Sequence, residues 1–212
     1  TDVTDLCGIR ENGFGQGVAA GDFDSDGFPD LLVANIGRNR LYQNNGDGTF
    51  TDVSLGAGLN HNDWTTSCAI ADLTGDGFPE LYFVNYLEGD DVFTRPCGPQ
   101  QSSVCQPQHF RAADDRLYWN SGDGQFQDVT SQAGVANQSG KGLGVVVARF
   151  QDADFPNVFV ANDTVMNTYF VNATPQRGHS PLLHDAALVS GLAMSADGRT
   201  QACMGVAAGD AD

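Results

Sequence analysis

One phrase of the sequence occurs three times and begins a fourth time, and this repetition limits the folds that the chain can adopt. The phrase occupies residues 17–35, 67–85 and 144–162, and its opening returns at 205–212. A second phrase follows the first two copies, at 41–54 and 117–130. Tandem copies of this kind predict a fold in which one small supersecondary unit is stacked on its neighbours.

The repeat units are about 50 residues long and are made of short apolar segments. Equivalent closing positions at Ile9, Leu59, Val135 and Leu192 give units at 9–58, 59–134 and 135–191, with an incomplete unit at 192–212. The second unit carries an insertion at 88–114. Apolar segments rich in Val, Phe, Tyr and Leu, bounded by Gly, Asp and Asn, predict strands joined by tight turns. In the first unit we expect strands at 18–21, 31–35, 41–44 and 50–54.

A four-stranded unit of this length, repeated in tandem, is typical of a β-propeller blade, whose faces are buried by the neighbouring blades. We therefore predict an all-β fold in which residues 1–212 form one partial β-propeller domain, the front part of a propeller with more blades. An open β-solenoid or two stacked sheets are the alternatives.

The acidic loop of the first copy has the composition of a calcium site. Carboxylates occupy positions 1, 3, 5 and 9 of a nine-residue loop, and a backbone carbonyl is available at position 7; the predicted ligands are Asp22, Asp24, Asp26, Phe28 and Asp30. Oxygen ligands in this number suit Ca²⁺ better than the strict octahedron of Mg²⁺. An EF-hand would need a Glu at position 12, where this chain has Val33 inside an apolar strand.

The later copies of the loop keep this pattern to different degrees. The second copy predicts a weaker site with fewer charges, formed by Asp72, Thr74, Asp76, Phe78 and Glu80. The third copy has Arg149, Gln151, Ala153 and Asn157 at the ligand positions, so we expect it to be free of metal, with Arg149 paired to Asp152 or Asp154. The fourth copy supplies Asp210 and Asp212.

The first phrase resembles the FG-GAP, or VCBS-type, repeat of integrin α-subunit propellers and bacterial surface proteins. The second phrase resembles the cartilage acidic protein family, whose bacterial members carry an ASPIC/UnbV domain after the propeller. This resemblance covers nearly the whole chain, and it implies a secreted, calcium-bearing propeller of seven blades. It places Asp22, Asp24, Asp26, Phe28 and Asp30 on the metal, whereas the third loop departs from the family pattern.

Five cysteines and three N-x-[ST] triplets occur in the sequence, and the cysteines bear on the compartment of the protein. Cys97 and Cys105 lie within the insertion, and we expect a disulfide between them, because a bridge would pin a segment that has few strand-forming residues. Cys7, Cys68 and Cys203 align with small or apolar residues of other copies, so we expect them to be buried. Because the sequence has no CxxC pair, we do not expect them to bind a metal. The triplets begin at Asn137, Asn162 and Asn172. A disulfide together with calcium sites predicts an extracellular, cell-surface or periplasmic location.

The charge of the chain bears on its partners. With 27 acidic against 10 basic residues, the formal net charge is −17, which opposes binding to nucleic acid or to an anionic membrane. No apolar run in the sequence is long enough to insert into a bilayer. The sequence also lacks HExxH and G-x-S-x-G motifs.

Two functions from different classes are compatible with the sequence. The first is a non-catalytic, calcium-binding extracellular scaffold that binds a protein or glycan partner or forms a subunit of a larger assembly. Its contact surface would be the insertion, with Phe93, Arg95, Phe110 and Arg111, although the insertion could equally cover a neighbouring blade. The second is a calcium-dependent carbohydrate-active enzyme, a polysaccharide lyase or hydrolase, in which Lys141 or Arg149 would act.

Overall fold

The computed structural model describes residues 2–9, 13–136, 139–150 and 153–209, and its regular structure is almost entirely β. The first four strands pair antiparallel in chain order: β1 (Phe14–Gly21), β2 (Asp30–Arg38), β3 (Arg40–Asn44) and β4 (Phe50–Asp52). The all-β prediction is confirmed. β2 extends three residues beyond its predicted end, because residues 36–38 pair with the next group of strands.

Two further groups repeat this order. The second is formed by β5 (Asn62–Ala71), β6 (Glu80–Asn85), β9 (Arg116–Asn120) and β10 (Phe126–Asp128), and the insertion contributes the short pair β7 (Leu87–Glu88) and β8 (Arg111–Ala112). The third contains β11 (Gly142–Ala148), β12 (Asn157–Asn162), β13 (Thr168–Asn172) and β14 (Leu183–Asp185), followed by the single-turn helix α1 (Ala187–Ser190). Two 3₁₀ turns, Pro99–Gln101 and Pro107–His109, lie in the insertion.

Apolar side chains between neighbouring groups form the core. Leu32, Ala34 and Leu41 of the first group pack with Leu81 and Phe83 of the second. On the other face of the second group, a separate cluster contains Tyr82, Val84, Leu117, Val158, Val160 and Phe170. Strands of the second group are thus buried on both faces, which explains why all six residues of β6 are buried.

The acidic loops and the insertion lie at opposite edges of the stacked groups. The loops connect the first and second strands of a group, whereas the insertion follows the far end of β6. A hydrogen bond of 2.6 Å from Ser25 Oγ to the Gly77 carbonyl joins the first loop to the second. The Gly178 amide, between β13 and β14, donates to the Thr74 carbonyl of the second loop at 3.1 Å.

The predicted disulfide within the insertion is confirmed. Cys97 and Cys105 are bonded, with their Cα atoms 5.1 Å apart. Cys105 also packs with Tyr86, Leu87 and Phe110 in a third apolar cluster. Across the described residues, every helix is too short to cross a membrane.

Candidate metal centre

The loop between β1 and β2 brings three of its four carboxylates together. Asp22, Asp24 and Asp30 each offer an oxygen atom, and these oxygens lie within 4.8 Å of one another. Asp30 is buried, while Asp22 and Asp24 are partly exposed. Three negative groups at this separation repel one another, so a bound cation would relieve the repulsion.

Backbone amides hold these carboxylates in place. The amides of Asp26 and Gly27 donate to the two oxygens of Asp22, at 3.1 and 2.8 Å. Asp30 accepts from the Phe23 amide at 2.9 Å and from the Asn44 amide at 2.8 Å, so it joins the loop to the end of β3. Burial nevertheless raises the pKa of Asp30, and the charges of Asp24 and Asp26 raise it further.

The other two predicted ligands of the first loop have roles within the loop itself. Asp26 Oδ1 accepts a hydrogen bond of 2.8 Å from the Phe28 amide, an arrangement that tightens the turn. Asp26 is exposed and does not belong to the group formed by the three converging carboxylates. The Phe28 ring lies against Gly46, where an added methyl group would come within 2.8 Å of it.

The loop between β5 and β6 has two buried oxygen atoms that lack hydrogen-bond partners. They are Thr74 Oγ1 and Glu80 Oε1, at the third and ninth positions of the loop, and both residues are almost completely buried. Asp72 accepts from the amides of Asp76 and Gly77 at 3.2 and 3.1 Å, as Asp22 does from the equivalent amides in the first loop, and also from the Gly75 amide at 2.6 Å. A buried oxygen without a partner carries a desolvation penalty, which a cation at this position would remove.

The protonation of Glu80 reflects the same burial. Burial, together with the charges of Asp76 and Asp72, raises the pKa of Glu80 to about 8. The Leu73 amide, which donates to Glu80 Oε2 at 2.7 Å, opposes this shift only in part, and the Asn120 amide also lowers the pKa. A cation at this position would stabilise the charged form of Glu80 further.

The described residues of the third loop place no carboxylate at a ligand position, and of the two predicted partners of Arg149 only Asp154 can be assessed. Arg149 and Asp154 are both exposed and form no ion pair with each other, while Asp152 and Gln151 lie outside the described residues. Asn157 accepts from the Asn172 amide at 2.9 Å, the contact that Asp30 makes in the first loop. Asp210 and Asp212 of the fourth copy also lie outside the described residues.

Similarity to a known repeat supports the equivalence of these loops. Residues 8–83 match the FG-GAP-like repeat. The FG-GAP-like match contains both loops in which acidic residues are retained, and it ends within β6. A comparison with curated proteins gives no match. The resemblance of the second phrase to the cartilage acidic protein family stays a prediction.

The sequence analysis missed a set of asparagines that hold the loops. Asn120 Nδ2 donates to the Phe23 carbonyl of the first loop at 2.8 Å, and Asn172 Nδ2 donates to the Leu73 carbonyl of the second loop at 2.8 Å. Asn44 Nδ2 donates to the Pro29 carbonyl at 2.9 Å. The recurrence of Asn as the fourth residue of the second phrase, at Asn44 and Asn120, was the available signal.

A further missed contact is made by Gln43, the residue before Asn44. Its Nε2 donates to Asp24 Oδ2 at 2.5 Å, and so a side chain of β3 orients a carboxylate of the first loop. The corresponding position in the second group is Trp119, and its buried Nε1 has no hydrogen-bond partner among the described residues. The sequence of the acidic loop alone does not indicate the contact between Gln43 and Asp24.

The remaining predicted positions are the three cysteines outside the disulfide and the three N-x-[ST] triplets. Cys7 and Cys68 are buried, Cys203 is partly buried, and burial raises the pKa of Cys68 to about 12. Of the three triplets, Asn162 is buried and its Nδ2 donates to the Met166 carbonyl, as that of Asn172 does to Leu73; Asn137 lies outside the described residues.

The two cationic residues of the enzyme alternative lie at opposite ends of β11. Lys141 precedes the strand, is buried, and donates from Nζ to the Pro107 carbonyl at 2.8 Å. Arg149 follows the strand and is exposed. Lys141 therefore ties the third group of strands to the insertion.

A cavity of about 710 Å³ lies between the insertion and the edge of the second group. Its lining includes Trp64, Tyr86, Phe93, Arg95 and Phe110. The Phe93 ring lies 4.8 Å from that of Trp64 and is 66% exposed, and the Arg95 guanidinium lies 4.9 Å from the centre of the Phe110 ring. Such a mixture of aromatic and polar groups is common in binding sites.

Proposed function

We propose that this chain is a calcium-stabilised extracellular scaffold, in which the first two acidic loops each hold a Ca²⁺ ion. The observation that carries the proposal is the convergence of oxygens from Asp22, Asp24 and Asp30 to within 4.8 Å of one another. Asp26 and the Phe28 carbonyl complete the proposed ligand set. Six to eight oxygen ligands are usual for Ca²⁺.

The second loop supports the proposal independently. Thr74 Oγ1 and Glu80 Oε1 are buried without partners, and they occupy the positions of Asp24 and Asp30 in the first loop. With Asp72, Asp76 and the Phe78 carbonyl, they would supply one cation with oxygen ligands. The ion would provide the positive charge that makes ionised Glu80 favourable at neutral pH.

We further propose that the three groups of strands are blades of a β-propeller. The support is that each group is a four-stranded antiparallel unit packed on the next, and that first strands of successive groups lie side by side. Thr66 Oγ1 of β5, for example, donates to the Gly142 carbonyl of β11 at 2.7 Å. Seven blades are what the family resemblance implies.

The proposed contact surface for a protein or glycan partner is the insertion. Phe93 is exposed beside the cavity, and the disulfide and the Lys141 contact hold the insertion on the strands. The net charge of −17 disfavours nucleic acid and other polyanions as partners. An extracellular location would supply calcium at millimolar concentration, which fills even weak sites.

The calcium proposal is tested by thermal unfolding and calorimetric titration of the intact chain. We expect binding of about two ions, and for a Kd near 0.1 mM in 1–2 mM calcium each ion adds about 1.5 kcal/mol to the free energy of unfolding. Asp24→Ala should lower the Tm in calcium but leave it nearly unchanged in excess EDTA. Asp47→Ala, in an exposed turn, is the matched control. An equal loss of stability in both solutions would exclude the metal role of Asp24.

The contact surface is tested on an array of neutral and acidic glycans. Binding that is lost in Phe93→Ser and kept in Phe14→Ser would support the insertion as the glycan site, because both side chains are exposed but only Phe93 lines the cavity. Equal binding by the two variants would place the glycan elsewhere on the chain.

A further inference from the structure

The exposed ring of Phe93 is supported by a series of aromatic contacts that ends at a buried aspartate. Phe93 is 66% exposed, and its ring centre lies 4.8 Å from that of Trp64. The Trp64 ring is nearly perpendicular to the Tyr86 ring, with 5.1 Å between the ring centres, and the Tyr86 hydroxyl donates to Asp163 Oδ2 at 2.6 Å. Aromatic pairs at these distances stabilise one another. Phe93 therefore presents a positioned aromatic surface to the cavity between the insertion and the second group.

Another part of the lining of this cavity comes from a turn in which two glutamines have an unusual backbone conformation. Gln100 and Gln101 have φ values of +59° and +56°, in the left-handed region that favours glycine. The turn is closed by the Cys97–Cys105 disulfide and by backbone hydrogen bonds of 3.0 and 3.2 Å between Cys97 and Ser103. Residues that the surrounding structure holds in this region are concentrated at ligand-binding sites. Of the two glutamines, Gln101 lines the cavity and Gln100 does not.

The polar groups of the cavity suit a ligand that both donates and accepts hydrogen bonds. The Gln101 side-chain amide offers N–H donors and a carbonyl acceptor, is exposed, and forms no hydrogen bond with any described residue. Arg95 Nε donates to Asp91 Oδ2 and Nη1 donates to the His109 carbonyl, each at 2.7 Å. These two contacts fix the guanidinium and leave its other N–H groups for a ligand.

The charges around the cavity favour a neutral ligand. Among the described residues, Arg95 is the one charged group of the lining, and the Asp91 carboxylate already balances it. Glu88 and Asp90 line two smaller cavities that share residues with this one, and with the net charge of −17 they would repel an anion. A cation would find no carboxylate in the described lining, and the Arg95 guanidinium already lies 4.9 Å from the centre of the Phe110 ring.

We infer that this cavity binds a neutral hexopyranose unit of a glycan. One face of such a sugar ring carries C–H groups, which pack on the electron-rich face of an aromatic ring, and Phe93 supplies that ring. The sugar hydroxyls both donate and accept, which matches the Gln101 amide and the remaining N–H groups of Arg95. An apolar peptide side chain would leave these polar groups without partners. The inference rests on the contact surface proposed above and commits that surface to one class of ligand.

The test begins with an array of neutral glycans built from glucose, galactose, mannose and N-acetylglucosamine, beside uronate-containing and sulfated glycans. We expect the intact chain to bind at least one neutral glycan. The affinity should change little with salt concentration, because binding of a neutral sugar forms no ion pair that salt can screen. The Kd of the tightest neutral glycan is then measured by calorimetry at fixed calcium, for the parent protein and for each variant.

Gln101→Gly and Gln100→Gly form a matched pair of variants. Both substitutions relieve a left-handed φ in the same exposed turn, so each should keep or raise the Tm. Only Gln101→Gly removes an amide from the cavity, so it should weaken neutral-glycan binding about three- to tenfold, whereas Gln100→Gly should leave the Kd unchanged. Phe93→Ser should weaken binding about tenfold or more, and Phe93→Tyr, which keeps an aromatic ring, should retain most of the affinity.

The outcomes that contradict the inference differ from those that contradict the proposed function. Binding confined to uronate-containing or sulfated glycans, no glycan binding at all, or equal affinities of Gln100→Gly and Gln101→Gly would overturn the inference. A protein partner that needs Phe93, without glycan binding, would also overturn it but would leave the proposed contact surface in place. Glycan binding that Phe93→Ser does not change would contradict both. Thermal unfolding in calcium and in EDTA tests the calcium proposal separately, because no residue of the acidic loops is altered.

Discussion

Asn120 at the end of β9 donates a hydrogen bond of 2.8 Å to the backbone carbonyl of Phe23, a residue of the first acidic loop in the neighbouring group of strands. The same Nδ2 atom lies 3.2 Å from the Pro79 carbonyl of its own group. One amide therefore binds two loops that are far apart in sequence. The position of the first loop depends on this contact as well as on its own turn.

Replacement of this asparagine should destabilise the packing between the first and second groups. Asn120 is buried, so Asn120→Ala leaves two carbonyls without their donor, and we expect a loss of about 1–3 kcal/mol in the free energy of unfolding. Urea denaturation measures this loss. Asn45→Ala, in an exposed turn, should change the value by less than about 0.5 kcal/mol. Similar losses for the two variants would show that the bridging contact is not important for stability.

Thr74→Val separates a metal ligand from a structural hydroxyl. The Thr74 hydroxyl is buried without a partner, so in EDTA the substitution should be neutral or stabilising by up to about 1 kcal/mol. In calcium it should remove the stabilisation contributed by the second loop. Thermal unfolding in the two solutions gives both values.

The control for this prediction is Thr130→Val. The Thr130 hydroxyl accepts the Leu117 amide at 3.1 Å and lies far from the acidic loops in the sequence, so its loss should lower stability equally with and without calcium. A Thr74→Val variant that behaves like this control would contradict a role for Thr74 at a cation.

Asp115→Asn should flatten the dependence of stability on pH. Burial raises the pKa of Asp115 from 3.8 to about 7, although it accepts the Asn85 amide at 2.8 Å and the Tyr82 hydroxyl at 2.9 Å. The folded protein therefore holds a proton that the unfolded chain releases, and stability is lost as the pH rises from about 4 through about 7. Some of the side chain is accessible to solvent, so we expect only about 1–2 kcal/mol from this group.

The other two groups of strands have asparagine at the position that corresponds to Asp115. Asn39 and Asn167 occupy the equivalent positions in the other two groups, and each accepts the amide of the strand-end asparagine, at 2.7 and 2.9 Å. Asp115→Asn should therefore match the parent protein near pH 5 and exceed its stability at pH 8, as measured by urea denaturation. Asp90→Asn, at an exposed site, is the control. A parallel pH profile for parent and Asp115→Asn would contradict the raised pKa.

Removal of the disulfide should loosen the insertion while the strands remain folded. The Cys97→Ala, Cys105→Ala double variant opens a short ring, for which loop-closure entropy gives about 2.5 kcal/mol. The effect should be local, because the ring lies wholly within the insertion. Limited proteolysis should show faster cleavage near residues 95–106 with unchanged far-UV circular dichroism. Reduction of the parent protein should reproduce this pattern, whereas unfolding of the whole chain would contradict it.

The strands and acidic loops were predictable from the sequence, because the repeats align residues that have the same place in a strand or a turn. The Asp22 position and the glycines that follow it specify a turn by themselves, and short apolar runs bounded by polar residues specify β2 and β6. The Cys97–Cys105 disulfide was also predictable, since both cysteines lie in one short segment. These features depend on neighbours in the sequence.

Contacts between groups could not be predicted in this way. Thr74 is buried and its carbonyl accepts the amide of Gly178, a residue of the third group, and neither fact can be read from the sequence of the loop. Arg149 and Asp154 both extend into solvent, where an ion pair gains little, and the alternative pairing of Arg149 with Asp152, which lies outside the described residues, stays a prediction. Asn120 and Asn172 were passed over because an asparagine near a turn usually serves only that turn.

Two equivalent backbone contacts give the fold a place where added sequence is tolerated: the Phe50 amide donates to the Cys7 carbonyl, and the Phe126 amide donates to the Ala57 carbonyl. Each contact closes a loop of the polypeptide, and the span from Ala57 to Phe126, which contains the insertion, is longer than the span from Cys7 to Phe50. Because closure entropy grows only with the logarithm of loop length, the longer span costs just about 0.4 kcal/mol more. A segment that joins the second and third strands of a group can therefore grow into a recognition element, with its own apolar cluster and disulfide, at almost no expense to the scaffold beneath it.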